Sequence, residues 1–201
     1  MTKFDPQKHH RRSIRLKGYD YSQEGAYYVT IVTWRTEFLF GDVVNQEMML
    51  SSYGEIVQKW WGEIPVHFSN VETGAFVIMP NHVHGIIYIL DGRGTVPVPE
   101  DDGEITISQN NERFGVIQGG GTPPLQNPTL GQIVAYFKYQ STKEMNKLDN
   151  TGTVTKFWQR NYYEHIIRNE TDLQNKMDYI ESNPLLWDED DENPVNAELL
   201  K

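Results

Sequence analysis

The sequence predicts an α+β sandwich, in which a central antiparallel sheet carries helices packed on one face. Three observations carry that expectation. The segments run strand, helix, strand, strand, helix, strand, helix, so strands and helices are interleaved. The second and third strands are joined only at Pro80-Asn81, a turn too short for the crossover of a dozen residues that parallel neighbours need. The third strand, residues 82–90, is apolar on both faces, with Ile86, Tyr88 and Leu90 on one and Val83, Ile87 and Ile89 on the other. A length of 201 residues fits one well-cored domain, placed over 1–187, with an insertion at about 91–128 and an acidic tail at 188–201.

The elements follow in order. Residues 26–34 are β-branched and aromatic, bounded by Gly25, and read as the first strand. Ser51 and Ser52 cap a helix whose apolar residues Ile56, Trp60 and Ile64 recur every four positions until Pro65 stops it. Two extended pieces, 66–68 and 74–79, lead through Pro80-Asn81 into the strand at 82–90. Residues 91–128 are rich in Gly, Pro, Asn and acids and lack helical periodicity, so they read as a flexible insertion. Thr129 precedes a helix striped by Leu130, Ile133, Val134 and Phe137 that ends near Leu148. Residues 157–168 read as a loop and a short strand, and Thr171 caps a third helix striped by Leu173, Met177 and Ile180 that Asn183-Pro184 ends.

Composition removes several function classes. The longest apolar stretches, 75–79 and 86–90, are strand-sized, whereas a spanning helix needs about 20 residues. No membrane partner, no secretory signal and a cytoplasmic location are therefore expected. With no cysteine, there is no thiolate nucleophile, and any metal must be held by His, carboxylate, amide or water. The formal charge of −10 argues against a nucleic-acid partner, but its distribution weakens the objection. Residues 1–17 carry Lys3, Lys8, Arg11, Arg12, Arg15 and Lys17 against Asp5, residues 129–187 are balanced, and of the negative charge −6 lies in residues 18–90 while −9, the larger part, lies in the insertion and tail. A basic terminus is commonly only a solvated arm; its arginines with His9 and His10 also suit phosphate contacts.

His82-Val83-His84 is the strongest local signal. Side chains alternate along a strand, so the two imidazoles share a face about 7 Å apart along the backbone and form half a metal site. The same pair could be two core histidines satisfied by hydrogen bonds. On the third helix, Tyr179 and Asn183 are one turn apart and lie off the core stripe, so an amide ligand and a phenol could serve one site. Alternatively, Tyr179 packs on a sheet edge and Asn183 caps the helix. The second helix offers the same spacing as Tyr136 and Gln140, with Tyr139 beside it, and periodicity does not choose between them. The run from Trp158 to His165 has the composition of a single-stranded nucleic-acid platform and equally that of core filler. No glycine-rich phosphate loop, Ser/His/Asp order or zinc-deaminase pattern occurs.

Three ordered motifs, Met79-Pro80-Asn81-His82-Val83-His84-Gly85, the stretch from Phe157 to Glu170, and Asp178-Tyr179-Ile180-Glu181-Ser182-Asn183-Pro184, resemble the REP-associated tyrosine transposases. These are a branch of the single-tyrosine HUH transposases and nucleases. The resemblance spans residues 11–90 and 129–187 and implies a ferredoxin-like domain with the histidines on a central strand. It implies Tyr179 as nucleophile, with Tyr136 as second choice, and His82, His84 and Asn183 as ligands of Mg2+ or Mn2+, with Gln140 as second choice for the third. The implied reaction cleaves and rejoins single-stranded DNA next to REP-like hairpins through a 5′-phosphotyrosine. His165 is a candidate proton acceptor, and Arg11, Arg12, Arg15, Lys17, Arg160 and Arg168 are candidate phosphate contacts, in a monomer or homodimer. The alternative is a DNA-hairpin-binding protein of the same fold without catalysis.

Overall fold

The computed structural model describes residues 15–90, 127–149, 154–190 and 192–194. Arg11, Arg12, the insertion at 91–126 and most of the acidic tail lie outside the described residues. Four strands, β1 (Gly25–Val32), β4 (Val71–Met79), β5 (His82–Ile89) and β6 (Tyr163–Ile167), form one sheet in the order β4-β5-β1-β6, antiparallel at every junction. β2 (Gly41–Val44) and β3 (Glu47–Leu50) form a separate hairpin. The helices are α1 (Ser52–Gly62), α2 (Ile64–His67), α3 (Leu130–Asp149) and α4 (Glu170–Ser182), the last continued by a 3-10 stretch, Asn183–Glu189.

The sheet order follows from two split βαβ units, each helix carrying the chain past one strand before it returns. α1 leads from β1 to β4, leaving room for β5 between them, and α3 leads from β5 to β6. Both crossover helices use the odd face of the central strands, where Val29, Ile31, Val83 and Ile87 pack against Val57 and Trp61 of α1 and Ile133, Val134 and Phe137 of α3. The α+β class, the antiparallel sheet and the ferredoxin-like order are as expected. The expectation that helices occupy one face holds for these two. α4 follows the last strand, is not a crossover, and covers the opposite, even face, where Leu173, Met177 and Ile180 meet Ala26, Tyr28 and Ile86.

Local chemistry explains the boundaries. Ser51 caps α1 by accepting from the Gly54 N–H, as expected. Pro65 does not stop that helix: α1 ends at Gly62, and Pro65 sits in the first turn of α2, where a missing N–H costs nothing. Residues 66–67, expected to be extended, are therefore helical. The β2–β3 hairpin went unpredicted; its two-residue turn at Asn45 and Gln46, with φ of 53° and 67°, matches the right-handed strand twist. Thr129 and Gln132 cap α3 reciprocally, the Thr129 N–H donating to Oε1 of Gln132 and the Gln132 N–H to Oγ1 of Thr129. α4 is capped by Asn169, whose Oδ1 accepts from the Asp172 N–H, rather than by Thr171.

β5 is buried on both faces, as its composition implies, and Gly85 within it has a specific reason. A Cβ there would collide with the indole of Trp61, which stacks on Phe76 at 4.3 Å and lies directly on the β5 backbone. The residue after His84 is thus small because a helix of the opposite face presses against the strand that carries the histidines.

Candidate active site

The register of the sheet assembles the site. Thr30 pairs with His84 and Val32 with His82 across β1 and β5, so the even face presents Tyr28, Thr30, His82 and His84 together, beneath α4. His82 and His84 are buried, and their Nε2 atoms face each other 2.9 Å apart. Tyr179 of α4 lays its ring against His84, centroids 5.1 Å apart, and remains 41% exposed. One turn on, Asn183 is buried at the helix end; its Nδ2 donates to Oδ2 of Asp190 at 3.0 Å, and its Oδ1 is buried without a protein donor. Asp190 closes the group: its Oδ2 accepts from the Tyr179 hydroxyl at 3.4 Å, and one carboxylate oxygen lies within 4.8 Å of a nitrogen on each histidine.

Around these residues a further set fixes the rings. The Nδ2 of Asn81 donates to the Glu192 carbonyl at 2.7 Å, which turns its Oδ1 toward Nδ1 of His82 at 2.8 Å. An amide oxygen only accepts, so Nδ1 carries the proton and Nε2 keeps its lone pair for the centre of the site. Nδ1 of His84 meets the hydroxyls of Tyr28 at 2.7 Å and Thr30 at 2.9 Å, either of which can accept from it. Burial holds His82 well below the ordinary imidazole range, at about 4, with Asp190 partly offsetting it. His84 is lowered by burial, then by His82 and by Lys176, whose ammonium stands 4.9 Å over the Tyr28 ring. Both imidazoles are therefore neutral near pH 7, the form that ligates metal.

Two neutral imidazoles, an amide oxygen lacking a donor and a carboxylate suit a divalent ion held by nitrogen and oxygen. The orphaned Oδ1 of Asn183 is the telling atom, because buried acceptors almost always have partners. Asp190 was missed in the sequence, where it sits in an acid run that reads as a solvated tail. Tyr28 and Thr30 were missed because only the strand register brings them to His84. Asn81 had a signal, its place directly before the histidine pair.

The other candidates fall elsewhere. Tyr136 and Gln140 are on α3, across the sheet from the histidines; the Tyr136 ring stacks on His67 at 3.9 Å and packs against Trp60 and Phe68. Tyr139, on the same helix, is exposed. His165, on β6, bonds the Asp172 carboxylate at 2.8 Å, at the start of α4. Arg15 is docked rather than extended, its guanidinium donating to the Tyr162 hydroxyl at 2.9 Å and lying 3.5 Å from the buried Glu164 carboxylate. Lys17, Arg160 and Arg168 are exposed. Phe157 and Trp158 of the aromatic run are core residues.

In fold, and over much of its sequence, the chain is similar to REP-associated tyrosine transposases. A solved structure of a REP-associated tyrosine transposase bound to a REP hairpin superposes with a TM-score of 0.52 at 18% identity, covering 86% of this chain and 73% of that one. A Haemophilus influenzae protein provisionally named a REP-associated tyrosine transposase is 26% identical over 174 residues, 83% of this chain and 73% of that protein. The chain belongs to one family with an uncharacterised protein of Haemophilus influenzae (strain ATCC 51907 / DSM 11121 / KW20 / Rd), to which it is 40% identical over 192 residues, 94% of this chain and 96% of the relative. No family model matches the sequence. Among the described residues no helix is long and apolar enough to cross a membrane.

Proposed function

We propose that this protein is a metal-dependent transposase or nickase that cleaves and rejoins single-stranded DNA next to REP-like hairpins through a 5′-phosphotyrosine at Tyr179. The observation that supports it is the meeting of a half-exposed phenol with two neutral imidazoles and an undonated amide oxygen on one face of the sheet. His82, His84 and Asn183 would hold Mg2+ or Mn2+, with Asp190 as a further oxygen donor. When bound, such an ion polarises a phosphodiester oxygen as a Lewis acid.

The chain's own residues supply the rest. The Tyr179 oxygen attacks phosphorus, the P–O bond to the 3′ oxygen breaks, and that oxygen leaves as a 3′-OH after taking a proton. A free phenol ionises near pH 10, so its proton needs an acceptor, and the Asp190 carboxylate already accepts the Tyr179 hydroxyl. One phosphoester replaces another, so the strand can be resealed onto a different 3′-OH without ATP. The buried His84 and Tyr28 rings fix the Tyr179 ring from the sheet side, and Asn81 holds His82 in one tautomer. Arg11, Arg12, Lys17, Arg160 and Arg168 meet phosphates, while Arg15 pins the start of the described chain to β6 through Glu164.

A hairpin with a cleavable single-stranded flank tests this. The wild type is expected to form a denaturation-resistant protein–DNA adduct that requires Mg2+ or Mn2+ and is absent in Tyr179→Phe. Hairpin binding that survives Tyr179→Phe, with no adduct from the wild type under any divalent ion, would instead identify a hairpin-binding protein without catalysis.

A further inference from the structure

The turn after β1 stores strain next to the site. Arg35 and Thr36, neither of them glycine, have φ of 59° and 57°, a left-handed region that residues with a Cβ rarely adopt in succession. Three contacts hold the turn there: the Trp34 N–H donates to the Phe157 carbonyl at 2.7 Å, the Thr33 hydroxyl to the Glu37 carbonyl at 2.8 Å, and Nδ2 of Asn81 lies 3.5 Å from the Thr36 carbonyl. The result is two aromatic rings presented to solvent, Trp34 at 36% and Phe38 at 47% exposure.

Their neighbours are ordered. The Lys156 ammonium stands 3.3 Å from the centre of the Trp34 ring, and the Arg35 guanidinium 6.0 Å from it. At the other end Phe38 meets Trp187 edge-to-face at 5.7 Å, and Trp187 lies 6.0 Å from His82. Phe38 and Trp187 thus form an aromatic pair next to the imidazole site, and Trp34, four residues before Phe38, carries the two cations.

We propose that Phe38 and Trp187 stack an unpaired base beside the reacting phosphodiester, while Arg35 and Lys156 take the phosphates of the nucleotides that follow. This rests on the single-stranded DNA reading above and extends it by naming the surface that selects unpaired over paired substrate. A ring face can stack on a base only when that base has left its duplex, and such stacking tolerates any sequence.

The test uses the full-length protein, a fluorescein-labelled dT12, an abasic 12-mer of the same backbone and a 12-bp duplex, read by anisotropy at low salt. Wild type is expected to bind dT12 more tightly than the duplex. Phe38→Ala should weaken dT12 binding about tenfold, with Phe38→Trp restoring it, and should leave abasic binding unchanged. The Arg35→Ala, Lys156→Ala double variant should weaken both single strands alike and flatten the salt dependence. Phe38→Ala binding dT12 like wild type, losing equal affinity for the abasic strand, or a wild type that fails to bind dT12 would overturn the proposal. Failure of the strand-transfer reading looks different: no adduct forms, yet the dT12 difference between wild type and Phe38→Ala persists. Phe38 is half exposed, so its loss leaves the core intact.

Discussion

Asn81 acts on the site through one atom. Its Oδ1 compels His82 to carry a proton on Nδ1, and nothing else among the described bonds of His82 does so. Asn81→Ala is therefore expected to weaken Mn2+ binding about 10- to 100-fold, as the loss of an orienting partner typically does, and isothermal titration with Mn2+ checks it. A wild-type affinity in that variant would show that the tautomer is set otherwise. Asn183→Ala should weaken it as well, because it removes the buried oxygen beside the histidines that has no donor. At this scale the shared strand face of His82 and His84 was legible from alternation, and the i, i+4 pair Tyr179 and Asn183 from helix spacing, although Tyr136 and Gln140 show the same spacing and only the family resemblance preferred Tyr179. Tyr28, Thr30 and Asp190 were not legible. The first two depend on pairing between strands over fifty residues apart, and the third on a chain reversal after α4 that no local pattern encodes.

α4 and β5 decide whether the phenol meets the imidazoles. Asn169 caps α4 from its first turn, and Asn169→Ala should cost about 1 kcal/mol in urea unfolding and loosen the helix that carries Tyr179. Gly85→Ala should cost more, about 1–3 kcal/mol, because a methyl group forces Trp61 off the β5 backbone and the strand bearing both histidines must shift. An unchanged unfolding midpoint for Gly85→Ala would contradict the packing described. The long elements β1, β5, α3 and α4 announced themselves through sustained periodicity. The four-residue strands of the β2–β3 hairpin did not, since so short a run shows too few alternations, and Pro65 misled because its place in a helix's first turn looks like a helix stop. Which face α4 covers was equally hidden: its stripe says that it packs, and only its position after the last strand, free of any crossover, sends it to the histidine side.

For the whole molecule, the buried neutral histidines couple stability to pH. His82 titrates near 4 when folded and near 6.5 when unfolded, so between those values the unfolded chain binds more protons and stability falls as pH falls. The unfolding free energy should therefore fall between pH 7 and pH 5. Glu164, raised by burial, opposes this in the acid range because the folded state takes its proton more readily. Urea melts at the two pH values check the sign, and the His82→Gln, His84→Gln double variant should flatten the slope. The charge of −10 remains compatible with DNA because the cations are placed rather than numerous. What joins these scales is the claim that Tyr179 attacks DNA at the paired-imidazole site. Mass spectrometry of the peptide left on DNA after a Mn2+-dependent reaction tests it most directly. The account predicts a nucleotide on the peptide containing Tyr179; a nucleotide on Tyr136 or Tyr139, across the sheet on α3, would contradict it.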